Sequence, residues 1–358
     1  MSIDPVGHAI RLSARPKHLP SLQVLRFAAA FSVVLFHVGS GLVLQYDLSA
    51  NPFSLGSAGV DIFFVLSGFI ISYTTDPAKG ILHFARRRIA RVVPLYWGLT
   101  LAIIIIALVR PNLLNSTVVS TEAVIRSFLF IPYERSNGAI QPLLFLGWTL
   151  CYEMFFYLIY GACLMIGRHA GWLASAILLF LVGLHALWPE GSVEWRFYTS
   201  PILIEFVLGI MLQKVFSSLG LIKEGSLLLA LTALLAAPAV HYATSYFIPG
   251  IVPSALFAVL MVTGFLFWRM PKGRVIACLM LLGDASYSLY LIHPYMLQLP
   301  LKFLGKDASL PLTFAVLGAV VALTAAFSVV LYRLGERPFQ ALLMGSGRRL
   351  SQAELPAS

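Results

Sequence analysis

Apolar runs long enough to cross a lipid bilayer recur along this chain, and that feature restricts its fold more than any other. A helix needs about 20 mostly apolar residues to span the hydrocarbon core. Candidates fall near residues 22–44, 59–75, 92–109, 147–166, 171–187, 199–216, 226–243, 251–268, 281–300 and 311–334. In lipid, backbone polar groups must be satisfied within the segment, so runs of this kind are helices. No stretch alternates with a period of two over about ten residues, which excludes a β-barrel. The expectation is an all-α integral membrane protein, a polytopic bundle of about ten transmembrane helices. Composition agrees: 59% of the 358 residues are hydrophobic and 11% are charged, against roughly a quarter charged in a soluble domain. These figures exclude a typical cytosolic enzyme, a disordered chain and a nucleic-acid-binding module.

The net charge of +10 is a nucleic-acid signal only until its distribution is considered. With ten spans, 18 of the 25 Lys and Arg residues fall on one side and six on the other, with Arg26 inside the first span. Basic residues mark the cytoplasmic side, so both termini are expected in the cytoplasm. Residues 1–20 then form a basic cytoplasmic tail, 21–334 the membrane domain and 335–358 a polar cytoplasmic tail. The first apolar run is too long for a signal-peptide core, so no cleavable signal is expected. The segment 123–131 is apolar but too short to cross, and Pro132 ends it. It is expected as an interfacial or re-entrant piece within 110–146, the longest connection. Cys151, Cys163 and Cys278 are odd in number with no close pair, which argues against a disulfide framework and a zinc site.

Ionisable groups inside spans are costly and mark functional candidates. Arg26 and His37 are 11 residues apart in the first span. On a helix that is about 20° past three full turns, with a rise of about 16 Å, so they share a face. His37 reads either as a histidine bonded to a neighbouring helix or as a general base, since its ordinary pKa lies near neutrality. Arg26 alone reads equally as an interfacial anchor. The second span, GVDIFFVLSGFIIS, carries Asp61, Ser67, Gly68 and Ser72; its Ser–Gly pair means close helix packing or a gap for a ligand. Arg86, Arg87, Arg88 and Arg91 precede the third span. They are either a cytoplasmic anchor or a site that binds phosphates bidentately. Glu153 lies one to two turns inside the fourth span, at a depth approaching that of His37. There a carboxylate can orient the imidazole. Tyr287, Tyr290 and His293 share a face of the ninth span, as core packing or as a site, and Pro294 after His293 marks a possible kink. Glu205 is an intramembrane acid with no evident partner. No dinucleotide, phosphate-loop, zinc-protease or serine-hydrolase motif occurs.

Together these segments resemble the bacterial membrane acyltransferase-3 family, and most closely its exopolysaccharide O-acetylase branch of succinoglycan type. The likeness is carried by LQVLRFAAAFSVVLFH (22–37), GVDIFFVLSGFIIS (59–72), RRRIARVVPLYW (86–97), GWTLCYEMFFYLIY (147–160) and LGDASYSLYLIHP (282–294), in order, over most of residues 20–340. It implies a bacterial inner-membrane enzyme. That enzyme would take an acyl group, acetyl in this branch, from cytoplasmic acyl-CoA to a sugar hydroxyl of a surface polysaccharide or its lipid-linked precursor. The implied partners are membrane lipid, acyl-CoA, the glycan acceptor and polysaccharide-biosynthesis machinery, with no metal. By the same resemblance, the family's R-x10-H motif falls on Arg26 and His37, with His37 as the essential catalytic residue. Its basic motif falls on Arg87, Arg88 and Arg91, beside Arg86, to hold the CoA phosphates. Its Ser-Gly-Phe motif falls on Ser67, Gly68 and Phe69, and its acidic residue on Glu153, expected to polarise His37. Asp61, Tyr287, Tyr290 and His293 are expected to meet the acceptor.

Two other classes fit a membrane bundle with buried charges. A flippase of lipid-linked sugars would ignore acyl-CoA, and a glycan polymerase would not need the cytoplasmic arginines. Consumption of acyl-CoA separates both from an acylase.

Overall fold

The structure, a computed structural model, describes residues 19–110, 114, 118–221, 225–248, 250–305 and 308–344. The tail at 1–18 and the end of the tail from 345 onward therefore lie outside the described residues. So do the basic residues Arg11, Arg15, Lys17, Lys223, Lys306, Arg348 and Arg349 that entered the charge distribution.

Among the described residues the chain is helical, with no strand beyond one bridge between Glu134 and Ile140. The long elements are α1 (Pro20–Tyr46), α2 (Gly59–Thr74) and α3 (Gly80–Val109). A short α4 (Thr121–Phe128) follows, then α5 (Gly147–Cys163) and α6 (Ala170–Leu187). Next come α7 (Val193–Tyr198), α8 (Leu203–Ser218), α9 (Leu227–Phe247) and α10 (Val252–Phe267). The last described elements are α11 (Arg274–Asp284), α12 (Ser286–Leu304), α13 (Leu310–Leu331) and α14 (Arg337–Leu343). By length and apolar composition, seven helical stretches among the described residues can cross a bilayer, or eight if the bent pair α11–α12 is one span. One of the seven, Gly147–Leu187, is 41 residues long. It breaks at Gly167 (φ 74°, ψ −128°), and α5 and α6 pack against each other.

The outer surface of α9 explains why this bundle needs lipid. Leu228, Leu235, Tyr246 and Phe247 all stand exposed, more apolar area than a water-soluble monomer carries. The inner bundle is built on α1 and α2. Helix α1 packs on α2, α11 and α12, and α2 packs on α8 and α10. The α2–α8 crossing is set by two glycines. A Cβ at Gly68 would strike the Phe206 carbonyl, and one at Gly209 would strike the Val65 carbonyl. The backbones touch there, the small-residue packing that membrane helices use when lipid removes the hydrophobic drive. Ser72 secures the same interface through a 2.7 Å bond to Gln213.

Two local expectations change. The bend in the ninth span is not at Pro294. It lies between Asp284 and Ser286, where α11 and α12 meet at 71°, and α12 runs on through Pro294 and Pro300. A neighbouring contact explains the place: Gly283 presses on the Gln23 carbonyl of α1, which holds the end of α11 against the bundle. In addition, helix continues past residue 334 as a π-turn (Tyr332–Glu336) and α14. That turn buries Glu336. The apolar piece at 123–131 contains most of α4, which ends at Phe128, and Phe130 two residues on has a positive φ of 58°. This piece is tied to α3, since the Tyr96 hydroxyl donates to the Ser127 carbonyl at 3.0 Å and the Trp97 indole to the Phe128 carbonyl at 2.9 Å.

Candidate active site

A cavity of about 410 Å³ opens between α1, α2, α3, α5 and α12. Its charged lining comes from five separate stretches of chain. Helix α1 gives Arg26, α3 gives Arg87, Arg88 and Arg91, and α5 gives Glu153; Asp284 ends α11 and Glu336 ends the π-turn. Ser67, Tyr157, Tyr287 and Tyr290 complete its polar wall.

The arginines differ in what they do. Arg86 does not line the cavity, whereas Arg87 and Arg91, one turn apart, do. Arg88 is the most enclosed of this cluster, with only 8% exposure. Its guanidinium lies over the rings of Phe84 and Tyr157, 5.5 and 5.6 Å from their centroids. Its buried Nε has no hydrogen-bond partner. A guanidinium held by aromatic faces, with a donor left over in a cavity, is suited to an anion. Arg26 is buried and donates to Gln23 at 3.3 Å.

Glu153 is held from both sides. Ser67 Oγ of α2 donates to its carboxylate at 3.1 Å, and so does the Tyr157 hydroxyl one turn along α5. Neither bond reaches His37, so the expected direct His37–Glu153 contact gives way to a Ser67–Glu153–Tyr157 triad inside the cavity. Sequence spacing contained part of this, because Tyr157 is four residues from Glu153 on the same helix face. Glu336 was hidden from sequence reading, since it stands beyond the last apolar run. In the fold its carboxylate accepts from Ser288.

Tyr290 is part of the cavity wall, and its hydroxyl pairs with Thr149 Oγ1 at 3.1 Å. Tyr287 is fixed by donating to the Val92 carbonyl at 2.7 Å. Past Tyr290 lies a second environment. The His37 ring sits 5.1 Å from the ring of His293, which is 6.0 Å from that of Tyr290. Phe36 and Phe145 flank His37 edge-on at 5.4 and 6.0 Å. His293 is fully buried. Its Nδ1 meets the Leu289 carbonyl at 3.2 Å, which requires the proton on Nδ1 and leaves the Nε2 lone pair without a donor.

Of the site residues expected from sequence, the cavity brings together Arg26, Ser67, Arg87, Arg88, Arg91, Glu153, Tyr287 and Tyr290. His37 and His293 form the adjoining pair. Gly68 acts through the α2–α8 crossing. Asp61 stands apart: it is an electrostatic neighbour of Glu205 on α8, with His241 close by. The Glu205 carboxylate is buried without a well-formed hydrogen bond, so its neighbour is a second acid and not a bonded partner. Among the described residues, no cluster of three or more His, Cys, Asp or Glu side chains can hold a metal ion.

Comparison with known proteins bears on this arrangement. The family model described as an acyltransferase domain matches residues 19–333. The exopolysaccharide production protein ExoZ of Rhizobium meliloti is 31% identical over 337 residues, covering 89% of this chain and 97% of ExoZ. The acyltransferase MdmB of Streptomyces mycarofaciens is 24% identical over 386 residues, with 96% of each chain covered. The O-acetyltransferase OatA of Staphylococcus aureus is 26% identical over 213 residues, 54% of this chain and 31% of OatA. No solved structure matches. A family match over nearly the whole helical bundle, including every residue of the charged cavity except Glu336 and Gln340, settles the class: the chain belongs to the acyltransferase-3 family and is a multi-pass membrane acyltransferase.

Proposed function

We propose that the protein O-acetylates a sugar hydroxyl of an extracellular polysaccharide or its lipid-linked precursor, with acetyl-CoA from the cytoplasm as donor. One observation carries this reading: a single cavity gathers Arg26, Arg87, Arg88 and Arg91, and His37 lies one ring, that of His293, beyond Tyr290 of its wall. The names of ExoZ and OatA, an exopolysaccharide protein and an O-acetyltransferase, support the acceptor class and the acyl group. In the proposed topology the chain crosses the inner membrane ten times with both termini in the cytoplasm. This follows from dividing the 147–187 stretch at Gly167, counting α10 as a crossing, and reading α11–α12 as one broken span. The arginines then stand at the cytoplasmic end and His37 on the outer half of α1.

The donor enters with its phosphates against Arg87, Arg88 and Arg91. Its thioester arm runs past the Ser67–Glu153–Tyr157 triad toward Tyr290. The acceptor hydroxyl comes from outside and loses its proton to His37 as its oxygen attacks the thioester carbonyl. The carbon–sulfur bond breaks, and His37 returns the proton to the departing CoA thiolate. His293, with its lone pair toward the same space, keeps a neutral acceptor beside His37. General-base assistance of this kind contributes roughly 10²–10⁴ in rate, and holding two substrates in line contributes the larger share. The bonds from Ser67 and Tyr157 to Glu153 support a place for it in the donor channel rather than beside His37.

The test compares the surface glycan of cells with and without the gene by NMR of O-acyl protons. Loss of one O-acetyl signal without the gene is the expected result, and an unchanged acylation pattern would overturn the proposal.

A further inference from the structure

A second cavity, of about 550 Å³, lies between the segment that carries α4 and the start of α7. Its wall sets Val118, Ala123 and Val193 among polar groups, of which Glu122, Arg126, Tyr133, Glu134, Arg135 and Glu194 are the ones that matter. The frame is rigid. Ser120 caps α4 through Ala123 N–H at 3.1 Å, and Ser192 caps α7 through Trp195 N–H at 3.2 Å. Arg126 joins the two helices, bonding Glu122 at 2.9 Å and Glu194 at 2.6 Å. Arg196 bonds Glu134 at 3.2 Å from the rim. Underneath, Tyr96 and Phe130 stack at 4.5 Å. Three carboxylates line the cavity with two guanidiniums, Arg126 and Arg135, and Arg196 at the rim pairs with Glu134, so the carboxylates and guanidiniums balance and draw in neither an anion nor a cation. What it offers is a dense set of fixed donors and acceptors, which suits a ligand whose groups act as both, and that means hydroxyls.

Two observations point inward from this cavity. The Tyr133 hydroxyl, buried beside Ser127, makes no well-formed hydrogen bond. The Ser127 Oγ next to it already accepts from Leu143 N–H at 2.9 Å. Burial pushes the Tyr133 hydroxyl above its ordinary pKa, so it stays a protonated donor. Arg135 lies within electrostatic reach of Tyr295 on α12. The Tyr295 ring is 5.9 Å from Phe145, and Phe145 is 6.0 Å from His37. The Tyr295 and Phe145 rings thus stand in sequence between the neighbourhood of Arg135 and His37.

We propose that this charge-balanced cavity is a subsite for an uncharged sugar residue of the acceptor, one that flanks the residue being acylated. The inference rests on the acyl-transfer reading above and adds to it that the enzyme recognises a glycan segment rather than a single sugar. The two intervening rings exclude a sugar in the cavity from presenting its own hydroxyl to His37. A neighbour along the glycan does so instead.

The test uses the full chain in lipid nanodiscs with labelled acetyl-CoA. The acceptor probe is the host cell's own surface polysaccharide, freed of O-acyl groups by mild alkali and cut to graded lengths. Wild type should show a KM for acceptor that falls steeply from single sugars to short oligosaccharides. Tyr133→Phe removes one donor without opening a void, and Ser136→Trp fills the cavity from an exposed position. Both should raise the KM for long acceptors, Ser136→Trp by roughly tenfold, the cost of losing one or two hydrogen bonds. Both should leave the KM for acetyl-CoA unchanged and should flatten the length dependence. Variants with the wild-type KM and length dependence would overturn the subsite while leaving the acylation reading intact. Wild-type protein that transfers no label to any length would overturn both.

Discussion

The two ends of the reaction path are built from opposite materials. The inner cavity is crowded with charge, and its carboxylates are held: Glu153 by Ser67 and Tyr157, Glu336 by Ser288. The space around His37 has aromatic rings and a second imidazole, with no carboxylate bonded to His37 among the described residues. Under the proposed reaction, the difference teaches that gripping the donor and moving the proton are separate tasks. A polyanionic donor needs fixed positive charge, and four arginines inside a bundle need acids nearby to be tolerable. A base that must gain and lose a proton works best away from a fixed partner that would hold it in one state. Tyr290, bonded to Thr149 on one side and packed on His293 on the other, is the partition between them.

Substitutions can break or sharpen this division. The largest effect is expected at His37: His37→Ala should lower kcat by roughly 10²–10⁴ while acyl-CoA binding, read by calorimetry in nanodiscs, stays within about twofold. Full activity in that variant would remove His37 from the chemistry. Next are the arginines. Charge reversal at Arg87, or Arg88→Gln, should raise the KM for acyl-CoA by about tenfold or more, as loss of a charge-assisted contact does. The same change at Arg86, which does not line the cavity, should leave it unchanged. Equal effects at all three positions would make the cluster a topology signal.

Glu153→Gln gives the sharper comparison because it keeps the shape and removes the charge. If Glu153 belongs to the donor channel, the loss falls on the KM for acyl-CoA, by roughly fivefold, the worth of one hydrogen bond. A fall in kcat with KM unchanged would tie it to His37 instead. The smallest effect belongs to Tyr290→Phe, which removes one bond to Thr149 worth about 1 kcal/mol. A kcat lowered by only a few-fold in steady-state assays is the expected reading.

How much of this was legible in the sequence divides along the same line. The helices were legible because a bilayer leaves no alternative for a long apolar run. The charged candidates were legible because lipid excludes charge that has no task. Their grouping was not. Glu153 and His37 share a rough depth, but whether two side chains meet depends on how α1 and α5 are rotated about their axes. That rotation is set by contacts such as Gly68 against Phe206, which no pattern in one helix reveals. The acidic neighbour of Glu205 was hidden for the same reason, since the packing of α2 on α8 brings Asp61 within electrostatic reach of it. Pro294 was the natural place for a kink, yet the bend is at Ala285, where α1 holds the end of α11. Glu336 escaped because it lies past the last apolar run, where sequence alone indicates only a polar tail.

The separation of donor and acceptor across the membrane is the central claim, and sidedness measures it most directly. The protein is reconstituted in vesicles in one orientation, with labelled acetyl-CoA on one face and de-acylated glycan on the other. The account predicts label on the glycan only when acetyl-CoA is on the face bearing Arg87, Arg88 and Arg91 and the glycan is on the opposite face. Transfer that requires both substrates on the same face would contradict it.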